Sequence, residues 1–320
     1  MHSRPLINII LVHQRLKLHW KDLADISRLI IEKSRQIRVL LVSEVDTADV
    51  LPPDVWQRPT ITVSFGPLGR FNPLRGPIFA NKAISKIDQA ARLASAGVAT
   101  PRTKIFRVGV PLDTRDWGEF VILKPKPLRL TSGSEGIYLY RTERLNRLNE
   151  QDFPAAHMMR RVPMLVQQFI DTGPRASKQR ITTLFGEPFH WAYSANKSPR
   201  PSLASADEIL DSAIISTAAS EHRDWSCAKP SDEMLDMARR AGAVFPNMPL
   251  LGLDVLRCNA TGRIYVLEIN AGGNVWHYSS PYAAANRAAY PETYPTEMEK
   301  RWSFNKAAEI LLHKALVAAK

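Results

Sequence analysis

The chain has 320 residues, 45% of them hydrophobic, enough for two or three packed units with real cores and not the composition of a disordered or fibrous protein. Its apolar run near the start, LINIILV (6–12), is too short to span a bilayer and no small-residue cleavage site follows it, so a cytoplasmic protein with no membrane partner is expected. The formal charge of +12 is spread widely, with only KPKPLR (124–129) as a short basic cluster; without zinc-finger spacing or aromatic–basic interleaving, anionic small molecules are the expected partners rather than nucleic acid.

LINIILV, the helical stretch WKDLADISRLIIEKSR (20–35) and IRVLLVSE (37–44) read as strand, helix, strand, and TITVSF (60–65) adds a further strand. The turn-rich GPLGRFNPLRGP (66–77) then marks a boundary near residue 80 and fails the dinucleotide-binding fingerprint. Ile84, Ile87, Ala91 and Ala94 recur at helical spacing, and Gly97 is a natural stop. Strands follow at KIF (104–106) and FVILKP (120–125), then the glycine-bearing LTSGSEGIYLY (130–140) and a helical TERLNRLNE (142–150). Further strands are expected at 164–170, 180–186 and 189–195, a loop at 196–208, a helix at 231–243 capped by Ser231, and an amphipathic closing helix over 305–319. Cys227 and Cys258 lack metal-site spacing and read as structural thiols of a reducing compartment.

The stretch LLGLDVLRCNATGRIYVLEINAG (250–272) reads as two strands joined by the five-residue loop NATGR, which sets Asp254 opposite Glu268. Alternation puts Val266, Glu268 and Asn270 on one face and Leu267 and Ile269 on the other, and Asp254 and Leu256 likewise lie together. Facing carboxylates repel unless a cation lies between them, and two carboxylates with an amide oxygen suit magnesium, which completes its shell with waters and nucleotide phosphates. A solvated hairpin face is the plainer reading of this stretch alone. Lys124, at the end of an apolar strand, and the glycines after it have the makings of a phosphate-cradling loop, although a plain turn explains them as well. His277 reads as a surface or helix-cap histidine, and His190 and Trp191 as packing residues.

Taken in order, the helix bearing Lys86, VILKP, SGSEGIYL, VQQFI, the arginine before TTLFG, GLDVL and YVLEINAGG resemble the ATP-grasp superfamily, most closely the branch of ribosomal-protein glutamate ligases and other carboxylate–amine ligases. The resemblance implies an ATP-grasp fold of mixed α/β and α+β class: an N-terminal α/β domain (1–79), a lid subdomain (80–163) and a C-terminal subdomain (164–320) with the metal-binding hairpin and closing helix, the last two clasping ATP. It implies that Lys86 and Lys124 contact ATP phosphates and that Gly133, Ser134 and Gly136 form the loop closing over them. Gln167, Gln168, Phe169 and Ile170 would lie beside the adenine, with Asp171 as a ribose contact, and Arg180 near the terminal phosphate. Asp254, Glu268 and Asn270 would hold Mg2+, with Mn2+ as a substitute. The implied chemistry joins a small-molecule or peptide carboxylate to an amine or thiol through an acyl phosphate, and a homodimer is compatible with it. Three positions depart from the pattern: Gln168 stands where an acidic residue is frequent, Lys178 where Asp is common, and Tyr138 where glycine is. A small-molecule kinase on the same scaffold and a non-catalytic nucleotide-binding protein are the alternative readings.

Overall fold

The computed structural model describes residues 6–14, 20–126, 136–205, 223–271, 276–292 and 294–318. Strands β1 (Ile7–His13), β2 (Ile37–Ser43), β3 (Thr60–Ser64) and β4 (Ile78–Ala80) form a parallel sheet in the order β2-β1-β3-β4. A parallel sheet is covered on both faces, and β1 is accordingly apolar on both. Ile9 and Leu11 point into one core, Ile10 and Val12 into another. Helix α1 (Trp20–Lys33) covers the first face through Leu23, Ile26 and Ile30, whose spacing makes one helical stripe.

Helix α2 (Lys86–Ser95) is capped by Ser85, whose Oγ accepts from the Asp88 N–H at 3.1 Å. It leads to a second, antiparallel sheet in the order β5-β8-β6-β7, formed by β5 (Thr103–Ile105), β6 (Phe120–Pro125), β7 (Tyr138–Arg141) and β8 (Met164–Gln168). Two short helices, α3 (Thr114–Trp117) and α4 (Thr142–Arg147), flank it, and Trp117, Val121, Leu123, Tyr140 and Phe153 fill its core. The helix expected over 142–150 stops at Arg147, and the strand expected over 164–170 ends at Gln168. Because β8 pairs with both β5 and β6, a line drawn between residues 163 and 164 would cut this sheet.

The third sheet, β11-β10-β9-β12-β13, is antiparallel throughout: β9 (Ser177–Leu184), β10 (Glu187–Asn196), β11 (Arg223–Ser226), β12 (Leu250–Arg257) and β13 (Ile264–Ala271). Phe185 and Gly186, expected to extend β9, instead make a two-residue hairpin turn with φ of 51° and 87°, the left-handed pair that matches strand twist. Helix α5 (Asp232–Ala243), capped by Ser231 as expected, lays Leu235, Ala238 and Ala241 on one face of this sheet. It comes so close to the turn that a Cβ on Gly242 would lie 2.7 Å from the Gly186 Cα.

After α6 (Pro281–Ala289), the closing helix α7 (Glu297–Ala318) begins eight residues earlier than the sequence pattern indicates. Its buried stripe of Phe304, Ala307, Ala308, Leu311 and Ala315 joins Ile9, Leu11, Phe189 and Leu250 in one core. The end of the chain thus binds the first sheet to the third. Among the described residues, no helix is long and apolar enough to cross a membrane.

Candidate functional site

The second and third sheets face each other across a pocket into which β6, β8, β9, β12 and β13 each send polar side chains. Asp254 of β12 lies directly opposite Arg180 of β9 on one side and Glu268 of β13 on the other, so the carboxylate pairing expected from the hairpin is present. The ladder slips by one residue between Asp254 and Val255, because Leu267 is an extra residue on β13. The slip corrects one expectation. Val266 does not share a face with Glu268 and Asn270, since Ile264, Val266 and Ile269 all enter the core beneath α5. Leu267 and Glu268 both line the pocket instead. Without the bulge, strict alternation would bury either Glu268 or Ile269 on the wrong side.

Both carboxylates are met by cations. Asp254 is 1% exposed, and its Oδ2 lies 2.9 Å from Lys178 Nζ and 3.1 Å from an Arg180 Nη2, with Arg180 Nε donating to Oδ1. Glu268 Oε2 accepts from Lys86 Nζ at 2.8 Å, and the Asn270 amide reaches its other oxygen at 3.4 Å. Lys86 is held there by its helix, because Gln89, one turn further along α2, accepts from the Ile269 N–H at 3.0 Å. Burial opposes ionisation of Glu268, but Lys86, Lys124 and Lys178 overcome it and hold its carboxyl far below the ordinary value.

Lys124 is buried and donates to Gln167 Oε1 at 2.8 Å, while the Gln167 amide donates to Thr103 Oγ1 at 2.9 Å. Burial, with the neighbouring Lys86 charge, brings its amine down to about 8, against the opposing pull of Glu268 and Asp254. Four cationic heads therefore surround two carboxylates. The surplus positive charge in a recess of low dielectric is a trap for a polyanion.

Ile122, Phe169, Ile170, Leu256 and Leu267 give the same pocket its apolar lining, together with Gln168. The backbone N–H groups of Gln168 and Phe169 already donate to Arg102 O (2.9 Å) and Phe120 O (3.3 Å), so they are committed to the sheet. Arg200, in the stretch expected as a loop, also lines the pocket, where it pairs with Asp171 and lies 5.9 Å above the Phe169 ring. Asp171 Oδ1 accepts from the Gly173 N–H at 2.8 Å as well.

Gly133 and Ser134 lie outside the described residues. Gly136, with φ of 74°, is packed so closely that a Cβ would lie 2.5 Å from Met158 Cγ. Tyr138 stacks on His157 with ring centroids 3.9 Å apart, a packing role for a side chain that stands where the pattern has glycine. Arg180, although bonded to Asp254, does not line this pocket; it faces a neighbouring cavity, with Lys178 shared between the two. His190 and His277 also line that second cavity, and His277 Nδ1 lies 2.6 Å from Oγ of Ser280, the residue that caps α6.

Hard-oxygen donors on one face, two carboxylates and an amide, fit magnesium by their chemistry. Among the described residues, no group of three or more His, Cys, Asp or Glu side chains stands ready to hold a metal ion alone. Such a metal would have to bring anionic ligands with it, as a magnesium–phosphate complex does.

No protein-family model matches the chain, and no curated protein matches it in sequence. Among solved structures it is similar to the ATP-grasp ligase PsnB complexed with minimal precursor, at 13% identity and a TM-score of 0.51 over 96% of this chain and 98% of that one. It is also similar to the macrocyclase MdnC bound with precursor peptide MdnA from Microcystis aeruginosa MRC, at 14% identity and a TM-score of 0.49 over 96% and 100% of the two chains. A further similarity is to D-alanine–D-alanine ligase from Bacillus anthracis, at 11% identity and a TM-score of 0.46 over 98% of each. At such identities a likeness speaks for the fold, and the first spans both chains almost end to end: this chain has the ATP-grasp fold.

Proposed function

We propose that the protein is an ATP- and magnesium-dependent ligase that activates a carboxylate as an acyl phosphate and passes the acyl group to an amine or thiol. One observation carries this reading. An excess of cations around Asp254 and Glu268 borders a pocket that Ile122, Phe169, Ile170, Leu256 and Leu267 also line, a mix of charge and apolar surface that suits a nucleoside triphosphate. In this reading the apolar lining beside Gln168, Phe169 and Ile170 takes the base, and Lys86 and Lys124 take the phosphates, with Gln167 aiming Lys124. Gly133, Ser134 and Gly136 belong to the loop over them. Asp254, Glu268 and Asn270 would hold magnesium, which would neutralise and orient the terminal phosphates.

A carboxylate oxygen of the substrate attacks the terminal phosphorus as the bond to the β–γ bridging oxygen breaks, and ADP leaves with the electron pair. The amine nitrogen then attacks the acyl carbon, the bond to the phosphate oxygen breaks, and the amine's surplus proton passes to solvent. Arg180 and Lys178, held in place by Asp254, offer donors to the charge that develops on the transferring group. No protein nucleophile is required. The division into three parts belongs to the same proposal, with the second boundary moved to follow β8 so that its sheet stays whole. We place the protein in the cytoplasm, where ATP is available and its two free cysteines stay reduced.

The test is release of ADP and phosphate by purified protein given magnesium-ATP with pooled carboxylates and amines. ADP and free phosphate appearing together, dependent on substrate and lost in Glu268→Gln, is the expected result. ADP with the phosphate retained on the product would replace the ligase by a kinase. Nucleotide binding without turnover on any pool would favour a binding protein.

A further inference from the structure

The second cavity begins where the first one ends. Lys178 lines both, and Arg180, bonded to the buried Asp254, points into the second alone. Beyond these two cations the walls are aromatic. Trp225 stacks on Tyr294 with ring centroids 6.1 Å apart and planes at 24°, and lies 6.4 Å from Tyr290. Trp276 and Tyr278 line the cavity too, 3% and 5% exposed and anchored edge-on against Phe304, each 5.4 Å away. Arg287 fixes the α6 side, since it lies 5.1 Å over the Tyr294 ring and donates to the Tyr278 carbonyl at 3.3 Å.

The charge of this cavity is one-sided. His190 is brought down to about 4, chiefly by burial and also by His277, and burial lowers His277 too, so neither imidazole supplies much positive charge at neutral pH. Among the described residues, no carboxylate lines the cavity. The fixed charge facing it is the Lys178 and Arg180 pair at the end nearest the first pocket.

We propose that this cavity is the acyl-substrate site and that it selects an aryl carboxylate, a planar aromatic body between the Trp225–Tyr294 and Trp276–Tyr278 walls with its carboxylate against Lys178 and Arg180. The inference rests on the ligase reading above. It follows from matching each surface: stacked rings favour a flat π-face over a flexible chain, and two cations that share the single Asp254 carboxylate keep one positive charge over for an anionic head. Aromatic cages also attract ammonium groups, but here the two cations repel one, and Arg287 already covers a face of Tyr294. The placement sets the carboxylate beside the end of the first pocket where the terminal phosphate would lie. Lys178, where Asp is common in the resembling ligases, thereby gains a purpose as a second anchor for the acid.

The experiment uses three probes on the full chain, 3-phenylpropionate, hexanoate and 3-phenylpropylamine, with binding followed by calorimetry and magnesium-ATP binding measured on the same sample. Phenylpropionate is expected to bind about fivefold tighter than hexanoate, and the amine about tenfold more weakly than either acid. Trp225→Ala, and independently Tyr294→Leu, should bring the two acids to equal affinity. Hexanoate bound as tightly as phenylpropionate, preference for the amine, or no binding of either acid would overturn the inference. If magnesium-ATP still binds in those cases, the ligase reading survives and the aryl assignment alone falls; if magnesium-ATP does not bind, the reading beneath it fails as well.

Discussion

The first and third sheets both bury polar side chains, but they settle them in opposite ways. In the first, Asn8 is fully buried and its amide donates to the Val55 carbonyl at 2.9 Å and to Thr60 Oγ1 at 3.1 Å, while Thr60 donates onward to the same carbonyl at 3.0 Å. That network is neutral and ties β1 to the loop before β3. In the third, Asp254 is as deeply buried, but it is ionic and its partners outnumber it: Lys178 and Arg180 share one carboxylate, while Lys86 and the buried Lys124 crowd around Glu268. A neutral network of this kind serves stability, even with Asn8 Oδ1 buried and without a hydrogen-bond partner. A cluster with surplus charge around the buried Asp254 is costly unless an anion completes it, and under the proposed function that anion is the nucleotide.

Substitutions separate the two roles. The largest effect is expected from Glu268→Gln, which keeps the shape but removes a charge: substrate-dependent ADP formation should fall by about 10²–10³-fold with the circular dichroism spectrum unchanged. Turnover at the wild-type rate would remove Glu268 from the proposed chemistry. Asp254→Asn leaves Lys178 and Arg180 without their shared counter-charge, and unfolding in urea should show a loss of about 3 kcal/mol. Added pyrophosphate should raise the Tm of this variant more than that of the wild type; equal rises would mean that the cations are not waiting for an anion. Asn8→Ala should cost less, about 1 kcal/mol, by removing the amide's bonds to the Val55 carbonyl and Thr60 Oγ1 while Thr60 still donates to that carbonyl, and should leave magnesium-ATP affinity unchanged. A change in that affinity would erase the contrast between the sheets.

Much of this contrast can be read from the chain. The alternation of LINIILV, the cap at Ser231 and the opposition of Asp254 to Glu268 follow from local rules, because period and turn position set them. The bulge at Leu267 does not. VLEIN alternates as well in one register as in the other, and only the shared burial of Ile264, Val266 and Ile269 beneath α5 decides that a residue must be absorbed. The pairing of Arg200 with Asp171 is equally silent, since no spacing rule joins a residue after β10 to one before β9. Phe185 at positive φ is a further case, for glycine alone advertises such a turn and Phe accepts the conformation because the two strands leave it no other.

The smallest expected effect is one of pH, and it is specific to the charged cluster. Lys124 titrates near 8 in the folded protein against an ordinary value of 10.5, chiefly because burial disfavours its charged form. Between those values the unfolded chain binds a proton that the folded chain does not, so this group's contribution to stability rises with pH across that window. Nucleotide affinity should move the other way. A phosphate favours the ammonium and raises its pKa on binding, so binding takes up a proton, and affinity declines as pH rises through about 8, by at most about tenfold per pH unit. Magnesium-ATP dissociation constants at pH 7, 8 and 9 test this, with Lys124→Arg as the control, because a guanidinium stays charged throughout and its profile should be flat over the same range. An equally steep decline in the Arg variant would place the titrating group elsewhere, whereas a flat wild-type profile would mean that Lys124 does not reach the phosphates at all.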